Sequence, residues 1–124
     1  MNINELSIQE KIGQMIIVGM DTSYITERIK KLIIEYKIGG IILYRKNFKN
    51  YEDMVELIKQ LRKLNSKNRI PLLIAIDQEG GRVNRMPKEI LNLPSANLIA
   101  KKSGIEGTKK FAQITRQTIK EIWL

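Results

Sequence analysis

Apolar positions fall into two patterns along the chain. Three short runs do not alternate with polar residues: Met15-Ile16-Ile17-Val18, Ile41-Ile42-Leu43-Tyr44 and Leu72-Leu73-Ile74-Ala75-Ile76. They are rich in β-branched residues, as are strands buried on both faces of a parallel sheet. Other apolar residues recur at helical spacing. Ile25, Ile29, Leu32, Ile33 and Tyr36 form one stripe, with Thr22 or Ser23 as candidate cap and Gly39 and Gly40 as its end. Met54, Val55, Leu57, Ile58, Leu61 and Leu64 form a second stripe. Asn50 is its N-cap, and Glu52 and Asp53 sit in the first turn, where the helix dipole favours them. Phe111, Ile114, Thr118, Ile119 and Ile122 form a third stripe, and Ser7-x-x-Glu10 is a capping box for a short leading helix.

This order, a helix and then strand–helix three times, predicts an α/β fold of βα units around a parallel sheet with right-handed crossovers. The last helix runs to Ile122-Trp123-Leu124 with no Gly, Asn or polar residue after it. Domain ends are usually polar and frayed, so the pattern suggests a chain cut inside a fold, with these three side chains as an unpacked apolar patch.

Composition narrows the chemistry. The 124 residues suffice for one domain, and 43% hydrophobic content is that of a globular protein. The net charge of +9 comes from lysines scattered along the chain, and the seven aromatics form no basic-aromatic repeat. A nucleic-acid partner is therefore not expected, and a basic nucleic-acid-binding domain is only a weak alternative. No apolar stretch approaches the roughly 20 residues of a membrane span, and Glu5, Gln9, Glu10 and Lys11 interrupt any leader-like start. A cytoplasmic protein with no membrane partner is the expectation. Cys and His are both absent, which removes thiolate chemistry and the commonest acid/base and metal ligand. No metal and no cofactor is expected.

In parallel α/β folds, ligands gather at the carboxyl ends of the strands. Three loops lie there: Gly19-Met20-Asp21-Thr22, the basic Tyr44-Arg45-Lys46-Asn47-Phe48-Lys49-Asn50, and Asp77-Gln78-Glu79-Gly80-Gly81-Arg82-Val83-Asn84-Arg85-Met86-Pro87. In the third, Asp77 follows an apolar run directly, so its carboxylate emerges at the sheet rim, where it can accept hydrogen bonds from adjacent sugar hydroxyls. Gly80 and Gly81 permit a tight turn or close approach, and Arg82 and Arg85 bring planar donor forks. The same residues also suit a plain turn: Asp as a cap, Gly-Gly as a bend, Arg as solvated surface. Asp77 and Glu79, two residues apart in a tight loop, are not placed to flank one scissile bond.

The segment Ile74-Ala75-Ile76-Asp77-Gln78-Glu79-Gly80-Gly81-Arg82-Val83 resembles the signature of glycoside hydrolase family 3. Leu6-Ser7-x-x-Glu10-Lys11-Ile12-Gly13-Gln14-Met15 resembles the family's opening helix and first strand. Ile38-Gly39-Gly40-Ile41-Ile42-Leu43 resembles its second strand, and Leu93-Pro94-Ser95-Ala96 the stretch after the signature. The resemblance covers the chain in order, and the bacterial β-N-acetylhexosaminidases, which trim N-acetylglucosamine from cell-wall fragments in peptidoglycan recycling, are the subgroup it resembles. It implies a (β/α)8 TIM-like barrel, of which about three βα units are present, spanning 1–124. It implies that Asp77 binds sugar hydroxyls in the −1 subsite, that Gly80 and Gly81 shape that corner, and that Arg82 either contacts the sugar or braces the loop. The implied partner is an N-acetylhexosamine-containing glycan, together with a second chain if one completes the barrel. The family cleaves with retention through a covalent intermediate. Its nucleophilic Asp, its His–Asp acid/base and a Lys-His motif match nothing in these residues, so no catalytic residue is assigned and the chain alone is expected to be inactive. A stand-alone α/β ligand-binding module is the rival reading, weakened because no phosphate-binding glycine motif follows the first strand.

Overall fold

The computed structural model describes residues 3–123, with side chains described from residue 3 to residue 122. The elements run α1 (Ile8–Gln14), β1 (Ile17–Gly19), α2 (Glu27–Ile34), β2 (Gly40–Leu43), α3 (Tyr51–Asn65), β3 (Leu73–Ile76) and α4 (Ala96–Trp123). The three strands form one parallel sheet in the order β1-β2-β3, with Ile17 opposite Gly40 and Gly40 opposite Leu73. A mixed α/β fold of three βα units is what the two periodicities predict.

The helix starts follow local hydrogen bonding. In α1 the Ser7 hydroxyl accepts from the Glu10 N–H (3.2 Å), and the Glu10 carboxylate accepts from the Ser7 N–H (2.9 Å), which is the expected capping box. Asn50 caps α3 by accepting from the Asp53 N–H at 2.8 Å. The cap of α2, however, is Thr26, whose side chain accepts from the Ile29 N–H. Neither earlier candidate caps it, and the Thr22 hydroxyl donates to the Tyr24 carbonyl instead. Gly39 and Gly40 do not end α2 either. The helix ends at Ile34 with Glu35 as C-cap, the Glu35 N–H donating to the Lys31 carbonyl, and Lys37, two positions on, turns the chain at φ 53° with the Ile38 N–H donating back to the Leu32 carbonyl. Gln14 Nε2 donates to the Lys37 carbonyl and Lys37 Nζ to Asn68 Oδ1, which secures a lysine in a conformation usually left to glycine. Gly39 is needed for another reason: a Cβ there would lie 2.3 Å from the Gln14 carbonyl oxygen. Tyr36 falls beyond the helix and is exposed, with Lys31 over its ring.

The core lies between the sheet and α2 and α3. Ile33, Ile41, Leu43, Met54 and Leu61 have no accessible surface, and Val18, Leu32 and Ile76 pack against them. The other face of the sheet is not covered. Ile17 and Leu73 are 50% and 55% exposed, so the outer strands are not buried on both faces as their composition suggests. Met15 is no strand residue; it is the C-cap of α1 and is exposed.

Helix α4 is broken at Gly104, which has φ 56° and ψ −151°. Its first half is mostly exposed, whereas its second half returns to the core. There Thr115, not Ile114, lies on the inward stripe with Phe111, Thr118, Ile119 and Ile122. Ile122 is 4% exposed and belongs to the core cluster, so it is not part of an unpacked apolar end. The Trp123 side chain and Leu124 lie outside the described residues.

Candidate functional site

The loop after β3 carries the candidate site. Strand alternation puts Asp77 on the same side as Leu73 and Ala75, the uncovered side of the sheet, at its carboxyl end. A residue just past the strand end there presents its side chain to whatever occupies that open face. The Asp77 side chain is 42% exposed, and its Oδ2 lies 3.6 Å from Nη2 of Arg85, 34% exposed. At that separation the carboxylate has an attractive partner yet keeps its lone pairs free for further donors.

The intervening residues explain how the pair meets. Gly80 and Gly81 take φ 79° and 60°, and a Cβ at Gly80 would sit 2.6 Å from the Pro94 carbonyl oxygen. These positions thus require glycine both for conformation and for space. The turn they make lets the N–H groups of Glu79 and Gly80 donate to the Val83 carbonyl at 3.0 and 3.1 Å, and Gly80 forms an antiparallel bridge with Val83. The chain doubles back and returns Arg85 past Asp77. The Gly81 N–H donates to the Leu93 carbonyl (2.8 Å) and Asn92 Nδ2 donates to the Gly81 carbonyl (3.1 Å), which fastens the turn to the segment leading into α4. Ser95 then starts α4, its hydroxyl accepting from the Leu98 N–H and its carbonyl from the Ile99 N–H.

Gln78 points inward beneath this turn. Its Oε1 accepts from the N–H groups of Arg85 (2.8 Å) and Met86 (3.3 Å), while Asn84 Oδ1 also accepts from Met86 (3.2 Å). A small crevice lined by Gln78, Gly80, Met86 and Phe111 lies below it.

Of the residues singled out from sequence, the structure brings Gly80 and Gly81 into the turn and sets Asp77 beside it. Arg82 is exposed on the turn and forms no ion pair among the described residues. The guanidinium that meets Asp77 belongs to Arg85, and its Nε is buried with no hydrogen-bond partner among the described residues. Both arginines are visible in the sequence. What selects between them is the turn geometry, through the positive φ values of two glycines.

The other two loops at this end are internally satisfied. Asn47 is buried. Its Nδ2 donates to the Met20 and Thr22 carbonyls at 3.0 and 2.8 Å, and its Oδ1 accepts from the Tyr44 N–H at 2.7 Å. Lys46 pairs with Asp21, and Arg45 donates to the Phe48 carbonyl while lying over the Phe48 ring. The basic character of this loop is thus largely used in holding loops to one another. Among the described residues no cluster of three or more acidic side chains is placed to hold a metal ion, and no helix is long and apolar enough to cross a membrane.

Similarity to known proteins points the same way. A β-hexosaminidase of Neisseria gonorrhoeae is 39% identical over 75 residues, covering 60% of this chain and 20% of that protein. One from Photobacterium profundum is 40% identical over 82 residues, covering 65% and 24%. Among solved structures, a glycoside hydrolase family 3 β-N-acetylglucosaminidase from Paenibacillus sp. superposes with a TM-score of 0.69 at 33% identity, covering 73% of this chain and 18% of that one. NagZ from Neisseria gonorrhoeae in complex with N-trifluoroacetyl-D-glucosamine gives a TM-score of 0.63 at 33% identity, covering 77% and 28%. The chain therefore spans about a quarter or less of the curated relatives it matches. The family model of the glycosyl hydrolase family 3 N-terminal domain matches residues 7–124, the whole of the sheet and the Asp77 loop included, and the chain belongs to that family.

Proposed function

We propose that the chain forms the first three βα units of a (β/α)8 barrel of a retaining β-N-acetylhexosaminidase, and that it supplies the corner of the site that grips the sugar. The observation that carries this reading is the Asp77–Arg85 pair on the uncovered side of the sheet at its carboxyl end. The Asp77 carboxylate accepts from two neighbouring hydroxyls, and the part-exposed guanidinium of Arg85 beside it donates to a sugar oxygen. Arg82, exposed on the turn, is the flanking residue that either contacts the sugar or braces the loop. The substrate is a glycan ending in N-acetylglucosamine, such as a cell-wall fragment, and the setting is cytoplasmic recycling of peptidoglycan.

Hydrolysis requires more than these groups. The sequence has no His, so a His-assisted acid/base step needs residues from outside these 124, in a continuing polypeptide or in a second chain that completes the barrel. The purified chain alone should leave a chromogenic N-acetylglucosaminide uncleaved, and turnover that survives removal of host hydrolases would overturn that expectation. The sugar grip is tested by titrating the labelled chain with N-acetylglucosamine and following amide shifts in residues 77–86. Asp77→Ala should weaken binding at least ten-fold, since a hydrogen bond to a charged group contributes about 1.5–3 kcal/mol. Equal shifts in the variant, or none in the native chain, would refute the grip.

A further inference from the structure

The two residues of the proposed grip lie eight positions apart, and nothing in their own side chains fixes the backbone at Arg85. That backbone is held by one group. Gln78 Oε1 accepts from both the Arg85 and Met86 N–H groups, at 2.8 and 3.3 Å, and Gln78 itself follows Asp77 directly. A single side chain thus ties the residue after one member of the pair to the backbone of the other. Met86 is buried and its N–H also donates to Asn84 Oδ1, whereas the Arg85 N–H makes no other hydrogen bond among the described residues.

We infer that Gln78 is a positioning residue that sets the separation of Asp77 and Arg85 for sugar binding. The inference rests on the sugar-grip reading above. Gln78 touches no substrate in it; its amide oxygen replaces the water that the two N–H groups would otherwise find, and so selects one loop geometry. A guanidinium on a long side chain loses affinity when its backbone wanders, because the ordering that the loop no longer provides must then be supplied on binding. The amide oxygen matters rather than the NH2, which has no partner among the described contacts.

The test compares three variants of the chain. Gln78→Met keeps the volume and removes the acceptor, Gln78→Asn withdraws the oxygen by one methylene, and Gln78→Glu keeps it. N-acetylglucosamine is the probe, and the Arg85 Nε–H and backbone N–H resonances are followed in parallel. The first two variants should bind the sugar about three- to ten-fold more weakly, the loss expected from modest neutral hydrogen bonds. Their Arg85 backbone N–H should exchange faster, while the thermal transition stays cooperative, and Gln78→Glu should recover native binding and slow exchange. Native affinity in Gln78→Met overturns the role of Gln78 while leaving the sugar grip standing. Failure of the unmodified chain to bind overturns the grip itself, and Gln78's role with it. Loss of cooperative melting in both Gln78→Met and Gln78→Asn makes Gln78 a folding residue and overturns the inference as well.

Discussion

The two faces of the sheet are built from the same kinds of residue and meet opposite fates. Val18, Ile41, Leu43, Ile74 and Ile76 point toward α2 and α3 and lie in or against the core. Ile17, Gly40, Ile42, Leu73 and Ala75 alternate with them on the other face, where the outer strands leave Ile17 and Leu73 half exposed. Helix α1 behaves like the second face, with Ile8, Ile12 and Met15 exposed. Composition thus reports how apolar a strand is, while exposure reports whether anything lies over it. Asp77 belongs to the uncovered side, which makes that side the place where a ligand can reach it.

The largest expected effect breaks this comparison directly. Ile41→Ala removes a side chain with no accessible surface and should cost about 2–5 kcal/mol in chemical denaturation. Leu73→Ser, one residue out of register on the neighbouring strand but on the open face, should change stability by about 0.5 kcal/mol or less. It should also lower binding of a dye that reports exposed apolar surface. Equal losses in the two variants would mean that the open face is covered in solution.

A second substitution sharpens the comparison at the site. Gly80→Ala places a Cβ 2.6 Å from the Pro94 carbonyl oxygen at φ 79°, and the turn must open to admit it. The expected loss is about 1–3 kcal/mol, together with weaker sugar binding as Arg85 moves from Asp77. A variant as stable as the native chain, with native affinity, would show that the turn does not set the pair.

Much of this was legible from sequence, and the exceptions have a common cause. The strands β2 and β3, the Asn50 cap and the Ser7–Glu10 box are short-range features, fixed by residues within a few positions of each other. Thr26 could not be separated from Thr22 or Ser23 by spacing, because what distinguishes them is where the chain bends and which N–H groups remain open. Lys37 takes the left-handed turn after α2 in place of a glycine, and Gln14 and Asn68, distant in sequence, hold it. Sequence does not choose Arg85 over Arg82 as the partner of Asp77 for the same reason: the turn that returns it depends on contacts to Leu93 and Pro94. Thr115 takes the inward stripe in place of Ile114 because it stands four residues after Phe111 and three before Thr118, while Ile114, beside it on the helix, is exposed.

The smallest expected effect concerns α1, which lacks a covered apolar face and so depends more on its cap than α3 does. The Ser7 backbone N–H, and next the Ser7 hydroxyl, donate to the Glu10 carboxylate and hold its pKa below the ordinary 4.5. The native state therefore binds this proton less readily than the unfolded chain does. The stabilisation is complete above the unfolded value and is lost as pH falls through the lower, folded one. On acidification the α1 amides should lose protection before those of α3, whose packing against the sheet does not depend on a carboxylate. Glu10→Gln should make α1 protection nearly flat over the same range, because the amide cannot gain the proton. Should the native chain and Glu10→Gln show the same acid profile in α1, some other carboxylate governs it, and the cap is not what holds this helix.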